Sequence, residues 1–139
     1  MRKLYILIIG VSIMAFFLSG CSLFKKQILD GDGMENSYTQ ISQEEAKTMM
    51  EADDGHIIVD VREQFEYNGG HIPGAINIPL TSISDEQPSE LPDLDQVILV
   101  YCRSGRRSKL AAQKLFDIGY THVYEFGGIN DWTGEIEKE

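Results

Sequence analysis

Residues 102–108, Cys102-Arg103-Ser104-Gly105-Arg106-Arg107-Ser108, put one thiol beside three guanidinium groups, two hydroxyls and a glycine. A thiol close to cations and to a run of backbone N–H groups is favoured as the thiolate, the form that acts as a nucleophile. From residue 27 onward the chain carries eight basic and 22 acidic residues. Five of those eight (Arg103, Arg106, Arg107, Lys109, Lys114) fall between 103 and 114, where no acid stands. Cations at the start of a helix sit at the wrong end of its dipole, which costs stability unless an anion binds there. The stretch reads as a small-anion site facing a thiolate. The competing reading is a strand-end cysteine packed as a small hydrophobe among solvated arginines; the charge reversal, Gly105 and the place of the loop in the chain all weigh against it.

Such a loop needs a strand before it and a helix after it. Residues 97–101 (VILVY) are a continuous apolar run of the kind buried in a parallel sheet. Over 107–118, Leu110, Ala111, Lys114, Leu115 and Ile118 recur at helical spacing, and Gly119 stops the pattern. Further strands are expected at 38–41, 56–61, 75–78 and 122–126. A helix starts at Ser42, which forms a capping box with Glu45, and runs to about residue 52; a short one at 63–67 ends in Asn68-Gly69-Gly70. Residues 81–96 are an acidic, Pro-containing loop, and Gly127-Gly128 leads into a last helical segment holding Trp132. This alternation predicts an α/β fold: one domain with a roughly five-stranded parallel sheet, right-handed crossovers and helices on both faces. Ligands of such sheets bind at the carboxyl ends of the strands, where Cys102 falls.

Other polar residues carry less. Asp60 and Arg62 end a strand and are expected to brace the fold by a buried charge pair or by hydrogen bonds. His71 lies beside Pro73-Gly74 and suits a turn hydrogen bond, while His56 and His122 precede strands without ligand-spaced neighbours. No metal site and no cofactor are expected. Trp132 is read as packing.

The whole chain has 139 residues, 42% of them hydrophobic, and a net charge of −10. That allows one modest domain and makes nucleic acid a poor partner. The acidity is uneven, because residues 1–26 hold four basic residues and no acid. Arg2-Lys3 precedes residues 4–18, of which thirteen of fifteen are apolar, and Ser19-Gly20-Cys21 follows. A basic start, a short apolar run and small residues before a cut describe an export signal, and about 20 residues would be needed to span a bilayer. Leu18-Ser19-Gly20-Cys21 resembles the lipobox of bacterial lipoproteins. The resemblance implies a signal peptide at 1–20, cleavage before Cys21, lipid on its sulfur and a domain facing outside the cytoplasm, on the cell surface or the periplasmic side. Residues 21–37 then form a tether holding the domain about 20–25 Å from the membrane.

With Cys21 lipidated, Cys102 is the one free thiol, so an internal resolving disulfide cannot form. A Cys-x5-Arg phosphatase loop would place arginine at 108, where this chain has Ser108. What is left to a single thiolate beside an anion cradle is to accept a group and hand it on. Residues 38–139 resemble a single rhodanese-like domain. The matching stretches are Val59-Asp60-Val61-Arg62-Glu63, Gly70-His71-Ile72-Pro73-Gly74-Ala75-Ile76-Asn77-Ile78-Pro79, the strand and loop at 97–108, and Gly127-Gly128 followed by Trp132. The resemblance implies a sulfurtransferase. Cys102 takes the outer sulfur of thiosulfate or a related donor as a persulfide and passes it to cyanide or a thiol. By the same resemblance the amides of Arg103, Ser104, Gly105, Arg106, Arg107 and Ser108 cradle that sulfur, and Arg106 or Arg107 holds the sulfonate end. Two alternatives are a sulfane-sulfur carrier or sensor serving a protein partner and, against the loop length, an arsenate- or phosphate-ester enzyme.

Overall fold

The computed structural model of the chain describes residues 37–139. The expected signal peptide, Cys21 and all of the expected tether but Ser37 lie outside these residues. The elements in chain order are β1 (Thr39–Gln40), α1 (Gln43–Met50), β2 (Ile57–Asp60), α2 (Gln64–Asn68), β3 (Ile76–Asn77), β4 (Val97–Cys102), α3 (Arg106–Ile118) and β5 (His122–Gly128). Single 3-10 turns at Leu80–Ser82 and Ile129–Asp131 complete them. All neighbouring strands pair in parallel, in the order β1-β5-β4-β2-β3, so β4 lies at the centre of five strands.

Alternation along the strands sends successive side chains to opposite faces, each of which must be covered. Val59, Ile98, Val100, Cys102 and Val123 face α3, which supplies Ala111, Ala112 and Leu115. Ile58, Leu99, Tyr101 and Phe126 face the other way, under Ala46 and Met49 of α1 and Tyr67 of α2. The long loop after β3 is held to the first of these cores by Ile83 and Leu91, both buried, and by the Tyr120 hydroxyl donating to the Leu91 carbonyl at 2.6 Å.

The expected elements are present, with shifted ends. In α1 the capping box forms as read, with the Glu45 N–H donating to Ser42 Oγ at 3.2 Å and the Ser42 N–H to Glu45 Oε2 at 2.8 Å. A second box, Glu63 with Glu66, starts α2. The edge strands β1 and β3 shrink to two residues each, since each has one partner strand only. Strand β5 runs two residues past its expected end, and the β4–β5 register shifts between Val100 and Cys102, so that Cys102 pairs with Gly128. There the backbones touch: a Cβ on Gly128 would lie 2.1 Å from the Arg103 carbonyl oxygen and 2.6 Å from Ser104 Cα. Only glycine permits that approach.

Candidate active site

Cys102 is the last residue of β4, 1% exposed, at the carboxyl edge of the sheet. The chain then turns through Arg103 and Ser104 to Gly105, whose φ of +101° belongs to the left-handed region that glycine tolerates. This turn folds the Gly105 N–H back to donate to Cys102 Sγ at 3.0 Å. The Arg103 carbonyl accepts the Asn130 N–H at 3.1 Å, which ties the loop to the chain beyond β5. In the first turn of α3 the fully buried Ser108 hydroxyl takes the Cys102 thiol at 3.4 Å. Burial pushes the thiol up, and it is the largest single influence. The Ser108 hydroxyl and the N–H groups of Ser108, Gly105 and Ser104 together outweigh it, so the thiol lies below its usual range. The loop therefore favours a thiolate by hydrogen bonding in a buried place.

The three arginines are not equivalent. Arg107 makes a two-pronged pair with Glu66 of α2, Nη1 to Oε2 at 2.7 Å and Nη2 to Oε1 at 2.9 Å. That contact holds the Glu66 carboxyl at about 2, against burial, and raises Arg107. Arg103 and Arg106 are exposed, and neither has a carboxylate within ion-pair distance among the described residues. The first turn of α3 has no acid of its own, so Arg103, Arg106 and the helix dipole together leave positive charge at the mouth of the loop.

Asp60 and Arg62 form a buried pair, with Arg62 Nη2 to Asp60 Oδ2 at 2.7 Å and Nε to Oδ1 at 3.0 Å. Burial works against the Arg62 charge, but hydrogen bonds and attraction from Asp60 leave it raised. Arg62 also donates to the Gly70 carbonyl at 2.6 Å, and Tyr101 accepts the Ile72 N–H at 3.0 Å, so this cluster pins the segment before β3. It makes no hydrogen bond to the Cys102 loop. His71 is buried, stacked on Tyr67 with centroids 3.7 Å apart, and its ring contacts the Tyr67 carbonyl and Glu137 Oε1 at 2.9 and 3.2 Å. His56 contacts Asp54, and His122 contacts Thr121 and the Asp95 carbonyl, all away from Cys102. Trp132 packs on Phe126 with Lys47 over its ring.

Two carboxylates of the site went unread in the sequence. Glu66 lies 41 positions from Arg107, and α2 brings it there. Glu125 is fully buried in β5 and accepts from the Ser108 hydroxyl at 2.6 Å. A charged residue inside the run HVYEFGG is the one signal that marks it.

A central parallel strand ending in a buried, hydrogen-bonded cysteine, followed by a three-residue turn into a helix, defines an α/β domain built around a single cysteine loop. The chain belongs to the rhodanese-like domain family, whose description matches residues 42–135. It is similar to the thiosulfate sulfurtransferase PspE of Escherichia coli, 41% identical over 73 residues that are 52% of this chain and 70% of PspE. The Bacillus subtilis protein YrkF, named as a candidate sulfur carrier, is 38% identical over 103 residues, 73% of this chain. The match spans 55% of the length of YrkF. Among solved structures, a rhodanese with anions from E. coli superposes with a TM-score of 0.56 at 38% identity, covering 60% of this chain and 99% of that one.

Proposed function

We infer that this protein is a sulfurtransferase that moves a sulfane sulfur from thiosulfate, or a related anionic donor, to cyanide or a thiol through a persulfide on Cys102. The observation that carries this reading is the depressed, amide-bound Cys102 thiol beneath a mouth lined by the exposed Arg103 and Arg106. The thiolate attacks the outer sulfur of thiosulfate, a new S–S bond forms, the old one breaks, and sulfite leaves with its electron pair. The persulfide sulfur sits among the amides of residues 103–108, and the acceptor removes it to return the thiolate. Arg106 and Arg103 meet the sulfonate, because Arg107 is held by Glu66. The similarity to YrkF favours a second reading, in which the loaded Cys102 serves a protein acceptor and small acceptors turn over slowly. By its residues 18–21 the chain is a lipoprotein anchored through Cys21, with the domain outside the cytoplasm.

Intact mass before and after thiosulfate tests the first step. A gain of one sulfur, absent in Cys102→Ser and removed by cyanide with turnover, is expected of the enzyme. A stable gain with slow turnover selects the carrier, and no gain from thiosulfate or polysulfide overturns both. For the anchor, fatty-acid labelling should disappear in Cys21→Ala; persistent labelling removes that assignment.

A further inference from the structure

Glu125 is fully buried at the back of the cysteine loop, and among the described residues no cation contacts it. Its partners are all donors: the Ser108 hydroxyl at 2.6 Å and the Gly127 N–H at 2.8 Å on Oε1, and Gln40 Nε2 at 3.2 Å on Oε2. Ser108 Oγ touches four groups, namely Cys102 Sγ, Glu125 Oε1, the Gly105 carbonyl at 3.0 Å and the Gly127 carbonyl at 3.3 Å. The hydroxyl has one hydrogen, and the shortest contact gives it to Glu125. With that hydrogen on Glu125, Cys102 has to bring its own, and the thiol donates to Ser108. One hydroxyl hydrogen cannot serve a buried thiolate and a buried carboxylate together, so with both charged one of them would lose the Ser108 donor and keep only its N–H partners, Gly105 on the sulfur or Gly127 and Gln40 on the carboxylate.

We propose that Glu125 is a positioning residue that holds the Cys102 proton, received through Ser108, while the thiolate acts. In this step the Cys102 S–H bond breaks and its hydrogen moves to Ser108 Oγ, while the Ser108 hydrogen moves to Glu125 Oε1. Nothing is oxidised or reduced, and the trio keeps one negative charge, moved from carboxylate to sulfur. The Ser108 hydroxyl now donates to the thiolate, and the Glu125 carboxyl donates to Ser108. Other groups facing the trio are Tyr38 before β1, held above its usual range by burial first and Glu125 second, and Arg107 of α3, which feels Cys102. Gln40 of β1 and Gln43 of α1, which donates to the Gly128 carbonyl at 2.8 Å, add no charge.

The proposal rests on Cys102 as the nucleophile, but alkylation by iodoacetamide needs no sulfur donor, so its failure is separable from failure of sulfur transfer. The full chain bearing Cys21→Ser, in mild detergent, leaves Cys102 as the only thiol. Two groups sharing one proton titrate as a pair, so the alkylation rate should rise with pH in two steps separated by a plateau. In Glu125→Gln, whose amide oxygen still accepts from Ser108 and Gly127, the lower step should vanish and a single rise remain. A single rise in the parent chain, whether or not its midpoint moves in Glu125→Gln, overturns the proposal. If Glu125→Gln does not fold, infrared spectroscopy of the parent decides. A protonated-carboxyl band on the plateau that is lost in Cys102→Ser is expected, and either no band or a band that persists in Cys102→Ser overturns the relay.

Discussion

Arg107 and Glu66 bind each other through two parallel hydrogen bonds of 2.7 and 2.9 Å, joining the helix that follows Cys102 to the short helix α2. The pair orients the first turn of α3, from which Ser108 reaches the sulfur. Its effect is local order around Cys102.

The Glu66 carboxyl is held at about 2, below its ordinary 4.5, chiefly by Arg107. A carboxyl depressed in the fold contributes stability that is complete above its unfolded value and is lost as pH falls from that value through the folded one. Thermal melting should therefore fall more between about pH 5 and about pH 2 in the parent than in Glu66→Gln. Near neutral pH the variant should be less stable by about 1 kcal/mol. Equal acid sensitivity of the two proteins would show that the pair contributes nothing in solution.

Arg106 is exposed at the mouth of the loop and has no ion-pair partner among the described residues. Arg106→Ala should raise the KM for thiosulfate about 3- to 10-fold with little change in kcat, since a charge that steers and holds the ground state acts on binding. Raising ionic strength should narrow the gap between parent and variant. An unchanged KM at low salt would place the sulfonate elsewhere.

Gly128→Ala puts a methyl group 2.1 Å from the Arg103 carbonyl oxygen, against backbone that cannot step aside. The loop and the β4–β5 register would both have to shift, at about 3 kcal/mol or more. Denaturant melts should show that loss together with slower alkylation of Cys102. A fully stable, fully reactive Gly128→Ala protein would mean that the two backbones do not approach in this way.

Asp60 is wholly buried and pairs with a nearly buried Arg62. Asp60→Ala leaves that guanidinium without its partner and should destabilise the fold by about 3–5 kcal/mol. Because the pair pins the Gly70 segment and has no hydrogen bond to the loop, the folded fraction should keep its Cys102 alkylation rate. Loss of reactivity in the folded fraction would give Asp60 a direct part in the chemistry.

The cysteine loop was legible because three local signals coincide on it: the apolar run of β4, Gly105, and the charge reversal over 103–114. The start of α1 was legible for a similar reason, Ser42 and Glu45 being three residues apart and complete as a cap. What sequence did not reveal depends on distant partners. Glu66 looks like an ordinary surface acid until α2 meets α3. Glu125 follows the alternation of β5 to a buried position, where apolar residues are the rule, and only the folded loop supplies the hydroxyl and N–H groups that make a carboxyl tolerable there. The reach of β5 through Gly128 was hidden by glycine's poor strand preference, which the close approach to Arg103 overrides.

The wall around Cys102 comes from separate stretches of chain, with Ser108 on α3, Gly127 and Gly128 from β5, and Glu66 from α2 holding the helix in place. None of these reaches the sulfur in an extended chain, so a newly made or unfolded molecule carries a thiol of ordinary acidity. Folding itself makes this thiol more acidic, and the pH dependence of its labelling becomes a gauge of how much of a sample is correctly assembled.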